Sequence, residues 1–279
     1  MIEVLSEHAC FGGVQGFYRH DSAEIGAAMR FGVYRPPQAA HGPVPVLFYL
    51  AGLTCTEETF AIKAGAQQHA ARHGLMLVTP DTSPRDTAIA GAKDDWDFGE
   101  GAGFYIDATQ QPWAQRFRME SWLVQELLPL IVDRFPASED RVGIFGHSMG
   151  GHGALTLALK HPEIYRSVSA FAPISAPARC PWGEKAFARY LGPDRRQWTE
   201  HDASALVAAG LRTGLILVDQ GLGDKFLAEQ LQPERLEAAC LEAGQPLMLR
   251  RHDRYDHGYF FIATFVEDHL SHHAAALCR

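Results

Sequence analysis

Apolar and polar residues alternate along the first 35 positions of the chain, a period that is typical of half-buried β-strands. Three such stretches, residues 2–11, 13–22 and 27–37, are separated by glycine, aspartate or serine, which favour turns. The pattern predicts three antiparallel strands at the start of the fold.

A different rhythm begins after the proline-containing segment 36–43, where short apolar runs alternate with stretches of helical periodicity. The predicted strands cover residues 44–50, 75–80, 141–146, 167–173, 214–220 and 246–251. The predicted helices cover residues 58–74, 119–135, 226–244 and 258–277, and one more begins after Ser148. This alternation predicts a single α/β domain over residues 1–279, with a mainly parallel central sheet, antiparallel N-terminal edge strands and helices on both faces.

Two long stretches, residues 81–117 and 172–198, interrupt the alternation, and each follows a predicted strand. In open α/β sheets, the loops beyond the carboxyl ends of the strands build the ligand site. We therefore expect both stretches to form walls of the functional site.

Charge and composition argue against nucleic acids and membranes as partners. The net charge is −8 and no dense basic run is present, which argues against nucleic-acid binding. The N-terminal residues lack the pattern of a signal peptide, and the longest apolar run, residues 44–53, is about half a membrane span. We expect a cytoplasmic protein without a membrane partner, whose five cysteines, with no CxxC pair, remain reduced.

One serine has a setting that indicates a nucleophile. Ser148 lies in the G-x-S-x-G pattern of residues 146–150, between a predicted strand and a predicted helix. A sharp strand-to-helix turn brings backbone against the residues two before and two after the serine, so both must be glycine. Such a turn exposes the serine hydroxyl and aims the N–H of Met149 at a substrate carbonyl oxygen. A simple helix-capping serine would not require both glycines.

A serine nucleophile needs a base and an acid that orients the base, which this kind of fold supplies in the order Ser, acid, His. Asp219 and Asp224 follow one late strand, and His252 and His257 follow the next. Asp224 and His257 lie in loops directly before helices, so we assign Ser148, Asp224 and His257 as the triad.

A second oxyanion donor is expected in the loop after the strand 44–50. Gly52 permits close approach of the backbone there, and the N–H of Leu53 is the predicted donor.

Several long strings resemble the S-formylglutathione hydrolase (esterase D) family of the α/β-hydrolase superfamily, and they run in that family's order from Gly12 to His273. They are AGLTCTEETF, PDTSPRD, WDFGEGAGFYIDAT, FGHSMGGHGAL, CPWGEKAF, DQGLGDKFL and YDHGYFFIATFVEDH. The resemblance implies a cytosolic thioesterase, often dimeric and without a cofactor, which hydrolyses S-formylglutathione to glutathione and formate in formaldehyde detoxification. It also implies the same triad and the same oxyanion donors, Leu53 and Met149. Two positions depart from the family pattern: Asp86 replaces a glycine and Gly258 replaces a serine.

The substrate suggests further pocket residues. A formyl group needs a small acyl pocket, which Trp96 or Trp182 would close, and the carboxylates of glutathione favour cations, for which Lys63, Arg85 and Lys185 are candidates. Cys55 lies two residues beyond Leu53, and we interpret it as a noncatalytic side chain close to the acyl pocket.

Other functions are weighed against this one. A general short-acyl carboxylesterase would use the same triad, and a noncatalytic binding protein of this fold would not need to keep it. His269, His272 and His273 have helical spacing that could suit a metal, but without an accompanying carboxylate motif we expect an exposed terminal turn and no metal site.

Overall fold

The alternating N-terminal segments form an antiparallel edge of the sheet. In the computed structural model, which describes residues 2–278, they are β1 (Ile2–Cys10), β2 (Gly13–Ser22) and β3 (Ala27–Arg35). β1 pairs antiparallel with β2, and β2 with β3. Met29 and Phe31 on β3 are buried and Arg30 between them is exposed, as period-two alternation predicts, whereas residues 31–34 are buried on both faces.

The later apolar runs form the parallel part of the sheet. They are β4 (Val44–Leu50), β5 (Met76–Pro80), β6 (Ala137–His147), β7 (Tyr165–Phe171), β8 (Ile216–Gly221) and β9 (Leu247–His252). Within the described chain the order is β1-β2-β3-β5-β4-β6-β7-β8-β9. β5 joins β3 antiparallel, and β4 to β9 pair parallel with their neighbours, so the predicted mixed sheet is confirmed.

The helices cover both faces of the sheet. They are α1 (Glu57–Lys63), α2 (Ala66–His73), α3 (Met119–Ser121), α4 (Leu128–Arg134), α5 (Met149–Lys160), α6 (Pro181–Tyr190), α7 (Arg195–Trp198), α8 (Ala203–Ala208), α9 (Pro233–Ala243) and α10 (Tyr259–Leu277). The crossover from β4 to β5 runs opposite to those from β6 to β9, so right-handed connections place α2 and α5 on opposite faces. α10 packs beside α2, and α8 packs beside α5.

Three predicted helices differ from the observed ones. The predicted helix 58–74 is two helices, because Gly65 adopts a left-handed φ of 66° between α1 and α2. The predicted helix 226–244 is likewise divided, at Gln232 with φ 45°, into a π-helical turn (Leu227–Leu231) and α9. The helix 119–135 is continuous, but a π-helical stretch (Trp122–Leu127) separates α3 from α4, just before Pro129.

The two long interruptions pack against each other. Phe98 of the first packs against Tyr190 of the second, with ring centres 4.5 Å apart and the rings tilted by 30°. The hydroxyl of Tyr190 accepts a hydrogen bond from the Gly99 N–H and donates one to the Ala102 carbonyl, both at 3.0 Å. Further out, the rings of Trp96 and Trp182 meet edge to face at 5.5 Å. The segments 81–117 and 172–198 therefore each contribute one tryptophan to the contact between them.

None of the helices described between residues 2 and 278 combines the length and the apolar character needed to cross a bilayer.

Candidate active site

Ser148 lies at a sharp turn between β6, which ends at His147, and α5, which begins at Met149. Its backbone has φ 58° and ψ −118°, a conformation that a serine adopts only when its surroundings enforce it. The Ser148 N–H donates to the Phe171 carbonyl at 3.0 Å, and the Ser148 carbonyl accepts from the His152 N–H at 3.0 Å. The turn is therefore held by the neighbouring strand and by the helix that follows it.

The two glycines around Ser148 are sterically required, as the sequence predicts. A methyl group on Gly146 would lie 2.2 Å from the Gly150 carbonyl oxygen, and one on Gly150 would lie 1.9 Å from the Leu50 carbonyl oxygen. Both obstacles are backbone atoms that cannot rotate away. The turn therefore needs glycine at both positions to keep this geometry.

Asp224 and His257 form a hydrogen-bonded pair. The His257 Nδ1–H donates to Asp224 Oδ2 at 2.5 Å, and the Phe226 N–H donates to Asp224 Oδ1 at 2.8 Å. The Asp224 side chain is inaccessible to solvent, whereas that of His257 is 18% exposed. The acid thus has both oxygens engaged, and it holds the imidazole in the tautomer that leaves Nε2 free to accept a proton.

Close backbone contact joins the two loops that carry this pair. The Gly223 N–H donates to the Tyr255 carbonyl at 2.9 Å, and a methyl group on Gly221 would lie 2.4 Å from the same oxygen. The loops after β8 and β9 therefore approach each other closely enough for Asp224 to reach His257.

Neutral rings surround the imidazole of His257. The Phe226 ring lies edge to face with it at 5.1 Å, and the ring of His147 lies 4.4 Å away. Burial holds the pKa of His147 well below its usual range, so this neighbour carries no charge that would oppose protonation of His257.

The alternative acid and base belong to a separate buried network. Asp219 binds Arg250 at 2.5 and 2.6 Å, and its carboxylate lies 3.3 Å from both His252 and His269. Burial raises the pKa of Asp219, but hydrogen bonds from His269 and Arg250 outweigh it and hold the pKa below its usual range. Neither Asp219 nor His252 lines the pocket that contains Ser148.

The pocket at Ser148 has a volume of about 280 Å³. Its lining residues are Gly52, Leu53, Cys55, Thr59, Lys63, Trp96, His147, Ser148, Trp182, Phe226, His257 and Tyr259. Sequence reasoning missed Thr59, His147, Phe226 and Tyr259. A signal existed for the two aromatic residues, because Phe226 and Tyr259 each lie two positions after a proposed triad residue.

The loop that carries the expected second oxyanion donor approaches Ser148 closely. A methyl group on Gly52 would lie 3.3 Å from the Ser148 Cβ, and Leu53 lines the pocket. Met149, the first residue of α5, is buried beside Ser148. Leu53 and Met149 therefore both lie close to the serine, and their role as oxyanion donors stays a prediction.

The three predicted cations have different positions. Lys63 lines the pocket, with its ammonium 5.7 Å from the centre of the Tyr259 ring. Arg85 lies outside the pocket and pairs with Asp81 at 2.6 Å. Lys185 also lies outside it and pairs with Asp97 at 2.5 Å. Of the three, Lys63 is the one that faces the pocket.

Cys55 lines the pocket but lacks the features of an activated thiol. Burial raises the pKa of its thiol, despite opposing hydrogen bonds from Thr59 and Tyr259. A thiol that stays protonated is a poor nucleophile. This environment agrees with a side chain that packs beside the pocket.

The expectation of an exposed terminal turn at the last three histidines is wrong. His269 and His273 are fully buried, because α10 packs onto the sheet over two serines of β7. Ser169 lies 2.8 Å from His269 Nδ1 and 2.9 Å from His273 Nε2, and Ser167 lies 2.7 Å from His273 Nδ1. Within residues 2–278, no group of three potential metal ligands is placed to hold an ion.

The two departures from the family pattern have local consequences. Asp86 adopts a left-handed φ of 50°, which a glycine would tolerate more easily, and its carboxylate pairs with Lys93 at 2.7 Å on the surface. Gly258 precedes α10 with no side-chain cap for the helix, a role that a serine could fill.

Comparison with known proteins agrees with this architecture. The esterase family, described as "Putative esterase", matches residues 22–272. The chain is 52% identical to the S-formylglutathione hydrolase of Mus musculus over 278 residues, 99% of each chain. It is 50% identical to that of Paracoccus denitrificans (strain Pd 1222), covering 99% of this chain and 98% of the relative.

A solved structure of an S-formylglutathione hydrolase from Agrobacterium tumefaciens is also similar. It superposes with a TM-score of 0.97 at 47% identity, covering 98% of this chain and 99% of that one. Similarity of this extent in both sequence and structure identifies a family of hydrolase enzymes. The chain therefore belongs to the S-formylglutathione hydrolase (esterase D) family of the α/β-hydrolase superfamily.

Proposed function

We propose that this enzyme hydrolyses S-formylglutathione to glutathione and formate, with Ser148 as nucleophile, His257 as general base and acid, and Asp224 as the orienting acid. The 2.5 Å hydrogen bond between His257 and Asp224, beside a serine in an enforced turn conformation, carries the proposal. Two relatives named S-formylglutathione hydrolase are 52% and 50% identical to this chain over nearly its full length, and this similarity supports the choice of substrate.

The first half of the reaction forms a formyl-enzyme. His257 Nε2 takes the Ser148 hydroxyl proton as Oγ attacks the thioester carbonyl carbon, and Asp224 remains ionised to stabilise the imidazolium. When the tetrahedral intermediate collapses, the carbon–sulfur bond breaks and His257 gives the proton to the leaving sulfur.

The second half releases the formyl group. Water, deprotonated by His257, attacks the formyl carbon, the bond from that carbon to Ser148 Oγ breaks, and His257 returns the proton to Oγ. The product leaves as formic acid, which ionises to formate by releasing its proton to water. In both halves, the N–H groups of Leu53 and Met149 would donate to the oxyanion, with Met149 at the positive end of α5.

The pocket supports a small acyl group attached to a larger polar leaving group. Trp96, Trp182 and Phe226 bound a space of about 280 Å³, so most of the glutathione would lie across the pocket mouth. Among the described residues no carboxylate pairs with Lys63, which leaves its ammonium available to a glutathione carboxylate.

A general carboxylesterase is the second candidate, because the aromatic walls of the same pocket suit apolar esters. The two functions are distinguished by measuring kcat/KM for S-formylglutathione, S-acetylglutathione and 4-nitrophenyl acetate. The first function requires the highest kcat/KM for S-formylglutathione, and a preference for 4-nitrophenyl acetate would favour the second. Lys63→Gln should raise KM for the glutathione thioesters and leave KM for 4-nitrophenyl acetate unchanged.

The catalytic assignment is tested by Ser148→Ala, with the exposed Ser271→Ala as the matched control. Loss of a triad nucleophile lowers kcat by roughly 10⁶-fold, whereas the control should match the wild type. Turnover by folded Ser148→Ala close to that of the wild type would remove Ser148 from the mechanism.

We further propose that residues 1–279 act as one domain, and that the enzyme is a cytoplasmic homodimer without a cofactor. Sedimentation velocity would test the dimer.

A further inference from the structure

The segment that carries Leu53 has a strained backbone. Thr54 adopts φ 68°, in the left-handed region that β-branched residues strongly disfavour. The surroundings must hold such a residue in place, because it would otherwise relax toward negative φ. We call residues 51–55 the oxyanion loop, since Leu53 is the proposed donor.

Fixed hydrogen bonds hold the start and middle of the oxyanion loop. The Tyr105 hydroxyl donates to the Ala51 carbonyl at 2.8 Å, and the Thr54 N–H donates to the Gly101 carbonyl at 2.9 Å. The Cys55 N–H also donates to the Gly52 carbonyl at 3.2 Å, which closes a turn across Leu53 and Thr54. The peptide group that leaves this turn carries the Cys55 carbonyl, and its orientation depends on what binds that oxygen.

Two side chains bind the carbonyl oxygen of Cys55. Arg85 Nη2 donates to it at 2.8 Å, and the Thr82 hydroxyl donates to it at 2.7 Å. Asp81 aligns the guanidinium through Nη2 at 2.6 Å and Nε at 3.1 Å, and it accepts from the Thr82 N–H at 2.6 Å. The Asp81 side chain is 4% exposed and that of Arg85 33%, so water screens the pair only in part.

We propose that Arg85, aligned by Asp81, is a positioning residue that holds the Cys55 carbonyl, keeps Thr54 in its left-handed conformation and so aims the Leu53 N–H at the oxyanion. Arg85 therefore serves the reaction from behind the loop, and it does not bind the carboxylates of the substrate. The proposal rests on the proposed function, because it gives Leu53 the role of oxyanion donor.

The first test is the kinetics of Arg85→Ala with 4-nitrophenyl acetate, a substrate that does not depend on glutathione recognition. Since loss of one oxyanion donor costs about 10²–10³-fold in kcat, partial misplacement of Leu53 should cost roughly 10- to 100-fold, with KM within about twofold. Arg85→Lys keeps the charge with one donor group and should fall between Arg85→Ala and the wild type. Lys93→Gln, which removes the exposed partner of Asp86 in the same segment, should behave as the wild type.

A double-mutant cycle with Thr54→Gly distinguishes positioning from general stability. Glycine adopts positive φ without strain, so the Arg85 clamp should matter less once Thr54 is replaced. We expect Arg85→Ala to cost several-fold less kcat in the Thr54→Gly background than in the wild type. A purely structural role predicts independent, multiplicative losses instead.

Chemical rescue adds a second measurement. Arg85 also lines a neighbouring open cavity of about 680 Å³, through which methylguanidinium could reach the vacated place in Arg85→Ala. Millimolar methylguanidinium should restore part of the lost kcat in this variant and should not change that of the wild type.

The outcomes separate this proposal from the proposed function. If Ser148→Ala keeps wild-type turnover, the proposed function fails whatever Arg85 does. If Ser148→Ala is inactive while folded Arg85→Ala and Arg85→Lys both keep kcat within about twofold of the wild type, the positioning role is overturned. Should Arg85→Ala fail to fold, Arg85→Lys and the Thr82→Val variant, which removes the other donor to Cys55, decide the question by the same kcat measurement.

Discussion

Gly150→Ala would move the turn at Ser148 away from the oxyanion loop. The new methyl group would lie 1.9 Å from the Leu50 carbonyl oxygen and 2.6 Å from that of Ala51, and real Cβ atoms do not approach below 3.0 Å. Because both oxygens belong to the backbone, α5 would have to move by about 1 Å away from the end of β4. Ser148 directly precedes this helix and would retreat from Leu53, and a misplacement of that size costs roughly 10²-fold in kcat.

Two measurements are needed for this variant. Thermal unfolding should reveal a loss of about 1–3 kcal/mol from overpacking, and the kcat of the protein that stays folded should fall by roughly 10²-fold. Gly214→Ala is the matched control, because its methyl group would meet nothing nearer than the Arg166 carbonyl oxygen at 3.9 Å. A Gly150→Ala variant with wild-type kcat would refute the reasoning that this contact sets the distance between the serine and the oxyanion loop.

Three further predictions concern single side chains. Asp224→Asn should lower kcat by roughly 10⁴-fold with little change in Tm, because it disturbs the His257 tautomer. Asp219→Asn should lower Tm with a smaller effect on kcat, because it breaks a buried ion pair, and the reverse ranking would mean that the assigned acid is wrong. Alkylation of Cys55 should inactivate the enzyme by filling the pocket, whereas Cys55→Ala should remain active and resist alkylation. Unchanged activity after mass-verified alkylation of Cys55 would contradict its closeness to the acyl group. Burial raises the pKa of Glu57 from 4.5 to about 7. Between these two pH values the folded state keeps a proton on Glu57 that the unfolded state has lost, so the free energy of unfolding falls as the pH rises from 4.5 to 7. Glu57→Gln should therefore gain Tm over the wild type from pH 5 to pH 8, while the exposed Glu58→Gln should not, and parallel Tm curves would contradict the assignment.

Much of the fold and the triad candidates could be predicted because they depend on local pattern and on order along the chain. Strand periods, the glycines at positions 146 and 150, and loops directly before helices are all visible in consecutive residues. Helix breaks were harder to predict, since Gly65 and Gln232 interrupt stretches whose apolar period continues across them. Periodicity records which side chains face the core, but it does not record a local change of backbone direction.

The place of Arg85 could not be predicted for a different reason. A cation close to a site for an anionic substrate suggests substrate binding, and the sequence alone does not reveal that Asp81 occupies its guanidinium. The same limit applies to His269 and His273, whose partners lie on β7 about a hundred residues earlier. Partnership between side chains distant in sequence depends on tertiary packing, which single-sequence patterns do not encode.

The strained backbone positions also follow from where the loops meet. Ser148, Thr54 and Arg254 have φ values of 58°, 68° and 66°, and each lies in a different loop around the pocket: the turn between β6 and α5, the oxyanion loop and the loop before His257. Left-handed φ is unfavourable for all three residue types, so each loop would relax if it stood alone. The parallel strands β4, β6 and β9 fix the ends of these loops in the sheet, and cross-loop hydrogen bonds such as Gly223 to Tyr255 remove the remaining freedom. A rigid sheet is therefore a physical requirement of the site, because only a scaffold that resists relaxation can keep three strained loops converging on one serine.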